Sequence, residues 1–194
     1  MRVVLHICCG VCAAGAAERL KQEGHEVLGF FYNPNIHPRE EYERRLVVAR
    51  TVAGELGFRV EAPPYEPEEW FRVAGSMIRE PEGGARCDVC YRLRLSRTAG
   101  FVKETGYDAF TTTLTIGPRK HAAVINRIGH EIAGERFLAR DFKKKDGFKR
   151  AIELAKQWDL YRQDYCGCVF SLNSKVRTRK PEAPAGHVIL NPES

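Results

Sequence analysis

The clearest indication of the fold is the stretch VVLHICCGVCAAGAAERLKQEG, residues 3–24. Residues 3–7 form a short apolar run of β-forming side chains, and residues 12–23 form an alanine-rich helical segment. Gly24 follows, in the place where a glycine in the left-handed conformation commonly ends a helix. The stretch therefore predicts a strand that turns directly into a helix, with cysteines in the turn.

The same succession of a β-rich run, a helical pattern and a glycine recurs along the chain. Glycines follow helical patterns at Gly24, Gly57, Gly106 and Gly134 and precede further β-rich runs. Such alternation predicts an α/β fold with a doubly wound, mostly parallel sheet. We expect five strands and a C-terminal helical appendage. The expected strands are residues 3–7, 27–32, 58–62, 109–116 and 137–142.

Composition is typical of a soluble globular protein. The chain has 194 residues, 43% of them hydrophobic, and a formal net charge of +6, which alone is weak support for phosphate binding. It has no transmembrane run, and its N-terminal apolar stretch is too short for a signal peptide, so we expect a cytoplasmic protein. Residues 1–176 are expected to form one catalytic α/β domain, and residues 177–194 a polar, poorly ordered tail.

All seven cysteines fall in three short clusters. In a reducing compartment, clustered thiols indicate a metal or redox site rather than a set of disulfides. The first cluster follows the first predicted strand, where open α/β sheets bind ligands and where a helix N-terminus favours the thiolate. The pattern therefore predicts a metal centre at this edge of the sheet. The clusters are Cys8, Cys9 and Cys12, then Cys87 and Cys90, then Cys166 and Cys168.

Two kinds of metal group are compatible with these clusters. Structural zinc takes four ligands, and Cys9-x-x-Cys12 with Cys87-x-x-Cys90 satisfies its usual pattern. A cubane iron–sulfur cluster takes four cysteines from distant segments and leaves others for a second metal or for electron relay, so we favour it.

The third cluster is too tight to be a structural staple, because a disulfide within it would close almost no loop. A redox-active dithiol formed by Cys166 and Cys168 is the more natural interpretation. Ligation of the metal group by both thiols remains the alternative.

Five motifs together resemble a known family. They are His6-x-Cys-Cys-x-x-Cys12, Tyr32-Asn-Pro-Asn-Ile-His-Pro38, Cys87-Asp-x-Cys-Tyr-x-x-Arg-Leu95, Thr111-Thr-Thr-Leu-Thr115 and Asp164-Tyr-Cys-Gly-Cys168. Over residues 2–176 the chain closely resembles the QueH family of cobalamin-independent epoxyqueuosine reductases. The resemblance implies reduction of epoxyqueuosine to queuosine at the wobble position of tRNA. It also implies a fold similar to that of adenine-nucleotide hydrolases and PP-loop enzymes, although the PP-loop signature is absent here.

The resemblance also implies the cofactors and their ligands. Family members are thought to hold a 4Fe-4S cluster, an additional iron ion with a carboxylate ligand, and a redox-active cysteine pair. The matching residues are Cys8, Cys9, Cys87 and Cys90 for the cluster, Asp88 and Cys12 for the iron, and Cys166 and Cys168 for the pair.

Removal of the epoxide oxygen requires two electrons, two protons and a group that polarises the C–O bond. We expect an iron near Asp88 to bind the oxygen as a Lewis acid, while the cluster passes on electrons from an external donor. Proton-donor candidates are His37, His121, Tyr91 and Asp164.

Contacts with tRNA are expected from aromatic and basic side chains. Tyr32 or Phe31 could stack on an extruded base, and basic residues could neutralise phosphates of the anticodon loop. The expected substrate-binding residues are Tyr32, His37, Arg119, Lys120 and His121. Further basic candidates are Arg92, Arg94 and the lysine run 143–145.

Two rival functions remain. An iron–sulfur tRNA thiolase would need ATP, against which the missing phosphate loop argues. A non-catalytic, zinc-binding tRNA adaptor would be colourless and would contain neither iron nor acid-labile sulfide.

Overall fold

Strands and helices alternate along residues 1–172, the part of the protein that the computed structural model describes. This confirms the predicted α/β class, and the tail expected from residue 177 lies outside the described residues. None of the described helices is long and apolar enough to cross a membrane. The helices are α1 (Gly10–Gln22), α2 (Arg39–Leu56), α3 (Pro67–Ala74), α4 (Ala85–Thr105), α5 (Ala122–Ala133) and α6 (Gly147–Gln157), and the strands are β1 (Arg2–His6), β2 (Glu26–Phe30), β3 (Arg59–Glu61) and β4 (Ala109–Thr112).

Four glycines end helices as predicted. Gly24, Gly57, Gly106 and Gly134 all have positive φ angles. At Gly57, the C-cap of α2, φ is 63° and the N–H donates to the Gly54 carbonyl at 3.3 Å. A glycine adopts this conformation without the steric penalty of a Cβ atom, which is why these positions mark the helix ends.

The strands form one parallel sheet in the order β3-β2-β1-β4. The chain winds outward from β1 through β2 to β3 and then crosses to the other side of β1 to form β4. At the carboxyl edge, His6 of β1 is in register with Phe30 of β2 and Thr112 of β4. The winding direction therefore reverses between β1 and β4, the position where open α/β sheets bind ligands.

The prediction of a fifth strand is wrong for the described residues, whose sheet has four strands. Within residues 137–142, only Phe137 forms a bridge, to Phe110 of β4. The Leu138 N–H donates to the Phe110 carbonyl at 2.8 Å, and the ladder does not continue. The segment thus lies beside β4 as expected but does not extend the sheet.

The short length of β4 explains why the ladder stops. The Thr112 hydroxyl accepts a hydrogen bond from the Leu114 N–H at 3.1 Å, and residues 113–116 form a 3-10 helix. This local side-chain bond competes with strand pairing, so the predicted strand over residues 109–116 ends early. A neighbouring strand therefore has little of β4 left to pair with.

Helices cover both faces of the sheet. The side chains of Val3, Val4 and Leu5 in β1 have no exposed surface, as expected for a central parallel strand. Residues of α1, α2 and α6 form the core on one face, and residues of α4 and α5 form it on the other. The predicted C-terminal helix, α6, packs against α1 and therefore belongs to the same helical layer as α1 and α2.

Helices α1 and α2 approach each other closely at Gly10. A Cβ atom on Gly10 would lie 2.3 Å from Cγ1 of Val48 and 2.8 Å from its carbonyl carbon. Because that backbone atom cannot move without shifting α2, we expect Gly10→Ala to lower the free energy of unfolding by about 1–3 kcal/mol. Gly54→Ala, whose methyl group would meet no atom within 4 Å, should instead raise it by about 0.5–1 kcal/mol. Denaturant unfolding of both variants tests this, and an unchanged Gly10→Ala protein would contradict the close contact.

Candidate metal centre and substrate site

The turn between β1 and α1 brings three thiols together. Cys8 follows β1, Cys9 is the N-cap residue of α1, and Cys12 lies in the first turn of the helix. Their sulfur atoms lie within 4.8 Å of one another, close enough to share a metal ion. The Thr113 hydroxyl, just after β4, lies 3.2 Å from the Cys8 sulfur. The first cysteine cluster therefore lies at the switch point of the sheet.

Hydrogen bonds among these three thiols shift their pKa values in different directions. Bonds from Cys12 and Cys9, helped by the Thr113 hydroxyl, hold the pKa of Cys8 well below its ordinary value despite burial. The bond to Cys8 raises the pKa of Cys12 well above its ordinary value. For Cys9, the bond with Cys12 acts to lower the pKa, but the bond with Cys8 and burial outweigh it and raise the pKa to about 12. A metal ion that binds all three thiols must therefore displace protons.

The remaining cysteines converge on the same edge of the sheet. Two adjoining cavities, of about 100 Å³ and 10 Å³, open beside the switch point. All seven cysteines are free thiols, so the structure contains no disulfide. The larger cavity is lined by Cys8, Cys12 and Cys166, and the smaller by Cys87, Cys90, Cys166 and Cys168.

The grouping of the thiols differs from the division expected from the family resemblance. The structure groups Cys8 and Cys9 with Cys12, whereas the resemblance pairs them with Cys87 and Cys90. Among the described residues, no other set of three or more thiol, imidazole or carboxylate ligands lies so close together. How the ligands are shared between a cluster and an additional iron therefore stays a prediction.

Buried cations face these thiols. Arg94 and Lys120 line both cavities, and Arg45 lines the larger one. The Lys120 ammonium lies 3.2 Å from the Cys166 sulfur, and only 14% of its side chain is exposed. Arg94 is 3% exposed. Their burial directs the charges of Arg94 and Lys120 toward the thiols rather than toward the solvent, where a tRNA backbone would lie.

Arg45 holds the loop that carries Cys166, a role that sequence analysis missed. Its guanidinium donates to the carbonyls of Tyr165 and Cys166 at 3.2 and 3.1 Å and pairs with Glu41 at 2.7 Å. The Tyr161 hydroxyl donates to the other Glu41 oxygen at 2.9 Å. The sequence did contain an indication of this pair, because Glu41 and Arg45 are four residues apart on a helical face that is otherwise apolar.

His37 holds the other side of the same loop. The backbone N–H of His37 donates to the Gly167 carbonyl at 2.8 Å, and the backbone carbonyl of His37 accepts a hydrogen bond from the Tyr165 hydroxyl. The imidazole packs against the rings of Trp70 and Phe71, with centroid distances of 5.2 and 4.8 Å. Neither ring nitrogen has a partner among the described residues. His37 lines neither cavity, so its predicted contact with substrate stays a prediction.

The burial of His37 predicts a loss of stability in acid. Burial lowers its pKa to about 4, from 6.5 in the unfolded chain. Between these values the unfolded state binds more protons than the folded state. Stability is therefore full above about pH 6.5 and falls by up to about 3 kcal/mol as the pH drops toward 4. His37→Gln should lose this part of the acid dependence in unfolding experiments between pH 4 and 7. If the free energy of unfolding of the wild type and of His37→Gln fell in parallel with pH, His37 would not be the source of the acid dependence.

The other predicted site residues line neither cavity and differ in their exposure. Asp88 lies in the first turn of α4, is half-buried and lines neither cavity. Tyr32 is 6% exposed and stacks on Phe30, so its stacking on a base stays a prediction. Arg119 and His121 are exposed in the connection between β4 and α5.

One solved structure shares the fold. It is described as the predicted subunit of a tRNA methyltransferase from Methanocaldococcus jannaschii, and it matches with a TM-score of 0.53 over 80% of this chain and 74% of that chain. The sequences are 17% identical, so the likeness concerns the fold alone.

Comparison with known sequences shows the family. A protein named epoxyqueuosine reductase QueH from Streptococcus pyogenes is 37% identical over 87% of this chain and 69% of its own length. Proteins of the same name from Thermotoga maritima and Dehalococcoides mccartyi are 36% and 35% identical, over 88% and 95% of this chain and 90% and 98% of theirs. The family model described as epoxyqueuosine reductase QueH matches residues 3–174. Since this match spans nearly the whole chain, the protein belongs to the epoxyqueuosine reductase QueH family.

Proposed function

We propose that this protein reduces epoxyqueuosine in tRNA to queuosine. The proposal rests on one observation above all: three cysteine clusters, far apart in sequence, line adjoining cavities at the switch point of the sheet. The relatives that share the chain's family are named for this reaction. An array of free thiols at a ligand-binding edge can hold an iron–sulfur group beside the substrate.

The donor set fits an iron–sulfur group. Thiolates are the usual ligands of such clusters, and buried cations nearby offset the negative charge that several thiolates bring. When bound, the cluster supplies single electrons, and an additional iron supplies a Lewis acid for the epoxide oxygen. In this proposal the cluster ligands are Cys8, Cys9, Cys87 and Cys90, and the ligands available to an additional iron are Asp88 and Cys12.

Cys166 and Cys168 are proposed to be a redox-active pair. Removing one epoxide oxygen as water consumes two electrons and two protons, and oxidation of two thiols to a disulfide releases the same number. The Lys120 ammonium lies 3.2 Å from the Cys166 sulfur. Burial raises the pKa of Cys168 to about 11, so this thiol keeps its proton. An external reductant must then return the disulfide to two thiols before the next turnover.

Tyr91 is proposed to donate a proton within the smaller cavity. It lines this cavity next to Cys87 and Cys90 and is 5% exposed. Burial raises its pKa to about 12, so the hydroxyl keeps its proton at neutral pH. A protonated phenol at this position could transfer a proton to the oxygen that leaves the epoxide.

The tRNA is proposed to approach from the exposed basic side of the cavities. Arg119, Lys144 and Lys145 are exposed, whereas Arg92 pairs with Glu131. Phosphate contacts of this kind release counterions, so binding should weaken steeply with added salt. Binding that is insensitive to salt would argue against this surface.

The decisive experiment is an anaerobic reaction. Purified protein, reconstituted with iron and sulfide, is incubated with epoxyqueuosine-tRNA and dithionite, and the nucleosides are then analysed. We expect queuosine to form without ATP and the protein to contain iron and acid-labile sulfide. A requirement for ATP would favour a thiolase instead, and a colourless protein that holds only zinc would favour a tRNA adaptor.

A further inference from the structure

Arg94 is a buried cation in the middle of the cysteine clusters. It lies on α4, is 3% exposed and lines both cavities. Its guanidinium donates to the Cys90 carbonyl at 3.2 Å and lies 3.5 Å from the Asn33 side-chain oxygen. These neutral partners satisfy part of its hydrogen-bonding capacity but none of its charge.

The charge of Arg94 has no carboxylate partner within residues 1–172. The two other cations at the larger cavity do have one: Arg45 pairs with Glu41 at 2.7 Å, and Lys120 lies 3.5 Å from Glu82. A buried guanidinium without a counter-ion costs several kcal/mol. The anion that compensates Arg94 must therefore come from other groups that face it.

Thiols from all three clusters face Arg94. Arg94 lines the smaller cavity together with Cys90 and Cys166, and the larger cavity together with Cys166 and Cys8. These residues come from α4, from the segment after α6 and from the turn after β1. One guanidinium thus lies among sulfur atoms of every segment that would contribute ligands.

We propose that Arg94 is the counter-ion of the metal–thiolate centre and that its positive charge sets the reduction potential of that centre. The inference rests on the proposed function and adds to it a residue that acts on the centre rather than on the substrate. A cluster held by thiolates carries net negative charge, and its potential depends on nearby charges and hydrogen bonds. A fixed positive charge in a buried site favours the form that has gained an electron.

The test compares the wild type with Arg94→Met, Arg94→Lys and Arg97→Met. Arg97 is a matched control, because it lies one turn along α4, is 39% exposed and pairs with Glu104. Each protein is reconstituted anaerobically and titrated with dithionite under electron paramagnetic resonance. We expect Arg94→Met to shift the reduction equilibrium at least about tenfold toward the oxidised form, which is about 59 mV more negative for a one-electron couple. Arg94→Lys and Arg97→Met should stay close to the wild-type potential.

A second measurement separates the counter-ion from a purely structural role. Methionine retains most of the apolar bulk of arginine and removes a buried charge that lacks its counter-ion when no metal is bound, so metal-free Arg94→Met should melt at or above the wild-type temperature. The reconstituted variant should lose iron to a chelator at least about tenfold faster than the wild type, within the range typical of lost outer-shell partners. A structural role would instead lower the melting temperature of the metal-free protein.

Each outcome decides a specific point. Equal potentials in the wild type and Arg94→Met would overturn this inference and leave the proposed function intact. If Arg94→Met takes up no iron, Arg94→Lys decides: uptake with a near-wild-type potential supports the counter-ion, and failure of uptake overturns it. A wild-type protein that binds no iron would instead overturn the proposed function.

Discussion

Replacing Cys87 or Cys90 by alanine is expected to abolish the reduction of epoxyqueuosine and to remove the bound iron. Both side chains are 7% exposed and line the smaller cavity. The Gly83 N–H donates to the Cys87 sulfur at 3.2 Å, a contact that fixes the position of this sulfur. A cubane that loses one of four ligands opens a position to water, so both iron and turnover should be lost.

Val89→Ala is the matched control for this experiment. Val89 lies between the two cysteines on the same turn of α4, is half-buried and lines neither cavity. Iron, acid-labile sulfide and queuosine formation are measured for all the variants. Val89→Ala should retain all three, since the change shortens a side chain away from the thiols. Turnover that survives in Cys87→Ala or Cys90→Ala would refute the assignment of these residues as ligands.

The second large effect is expected from Glu41→Gln. This substitution leaves the Arg45 guanidinium, whose side chain is 3% exposed, without its carboxylate. Loss of one partner of a buried ion pair typically costs about 3–5 kcal/mol, because the other charge stays buried and uncompensated. Since Arg45 also binds the carbonyls of Tyr165 and Cys166, the loop with the proposed redox pair should loosen. Faster alkylation of Cys166 should accompany the loss of stability.

Glu43→Gln provides a control on the same helix. Glu43 pairs with Arg39 at the same four-residue spacing, but the atoms are 3.9 Å apart and the side chains are 60% and 61% exposed. Exposed pairs of this kind contribute little, so the free energy of unfolding should change by less than about 0.5 kcal/mol. Denaturant unfolding of the two variants makes the comparison. Similar stabilities would show that the buried pair does not hold the loop.

Several features of the fold could be predicted because they depend on local chemistry. The glycines after α1, α2, α4 and α5 end those helices because a glycine adopts positive φ angles without a steric penalty, whatever its surroundings. The apolar run at the start of the chain could be predicted as a strand, and its central position in the sheet became clear only in the structure. The absence of a fifth strand could not be predicted from local sequence, because it depends on where the partner strand β4 ends.

Part of the candidate site was predictable from topology. The carboxyl ends of parallel strands lie on one edge, so a cysteine cluster directly after β1 had to lie there. The positions of Arg94 and Lys120 were not predictable, because a basic residue on a helix or in a loop is usually exposed to solvent. Only packing against α3 and the segment after α6 encloses these charges with the thiols.

The α/β alternation, the ends of the helices and the place of the first thiols could therefore be predicted from the amino-acid sequence, because periodicity, glycine conformation and the direct succession of a strand and a cysteine cluster are properties of short segments. Three relations appear only in the folded protein: which thiols are neighbours, the position of Arg94 at the cavities that all three clusters line, and the hold of Arg45 on the loop of Cys166. These relations join residues that are tens of positions apart. They arise only when the helices pack on the sheet, because a buried charge without a partner is energetically unfavourable.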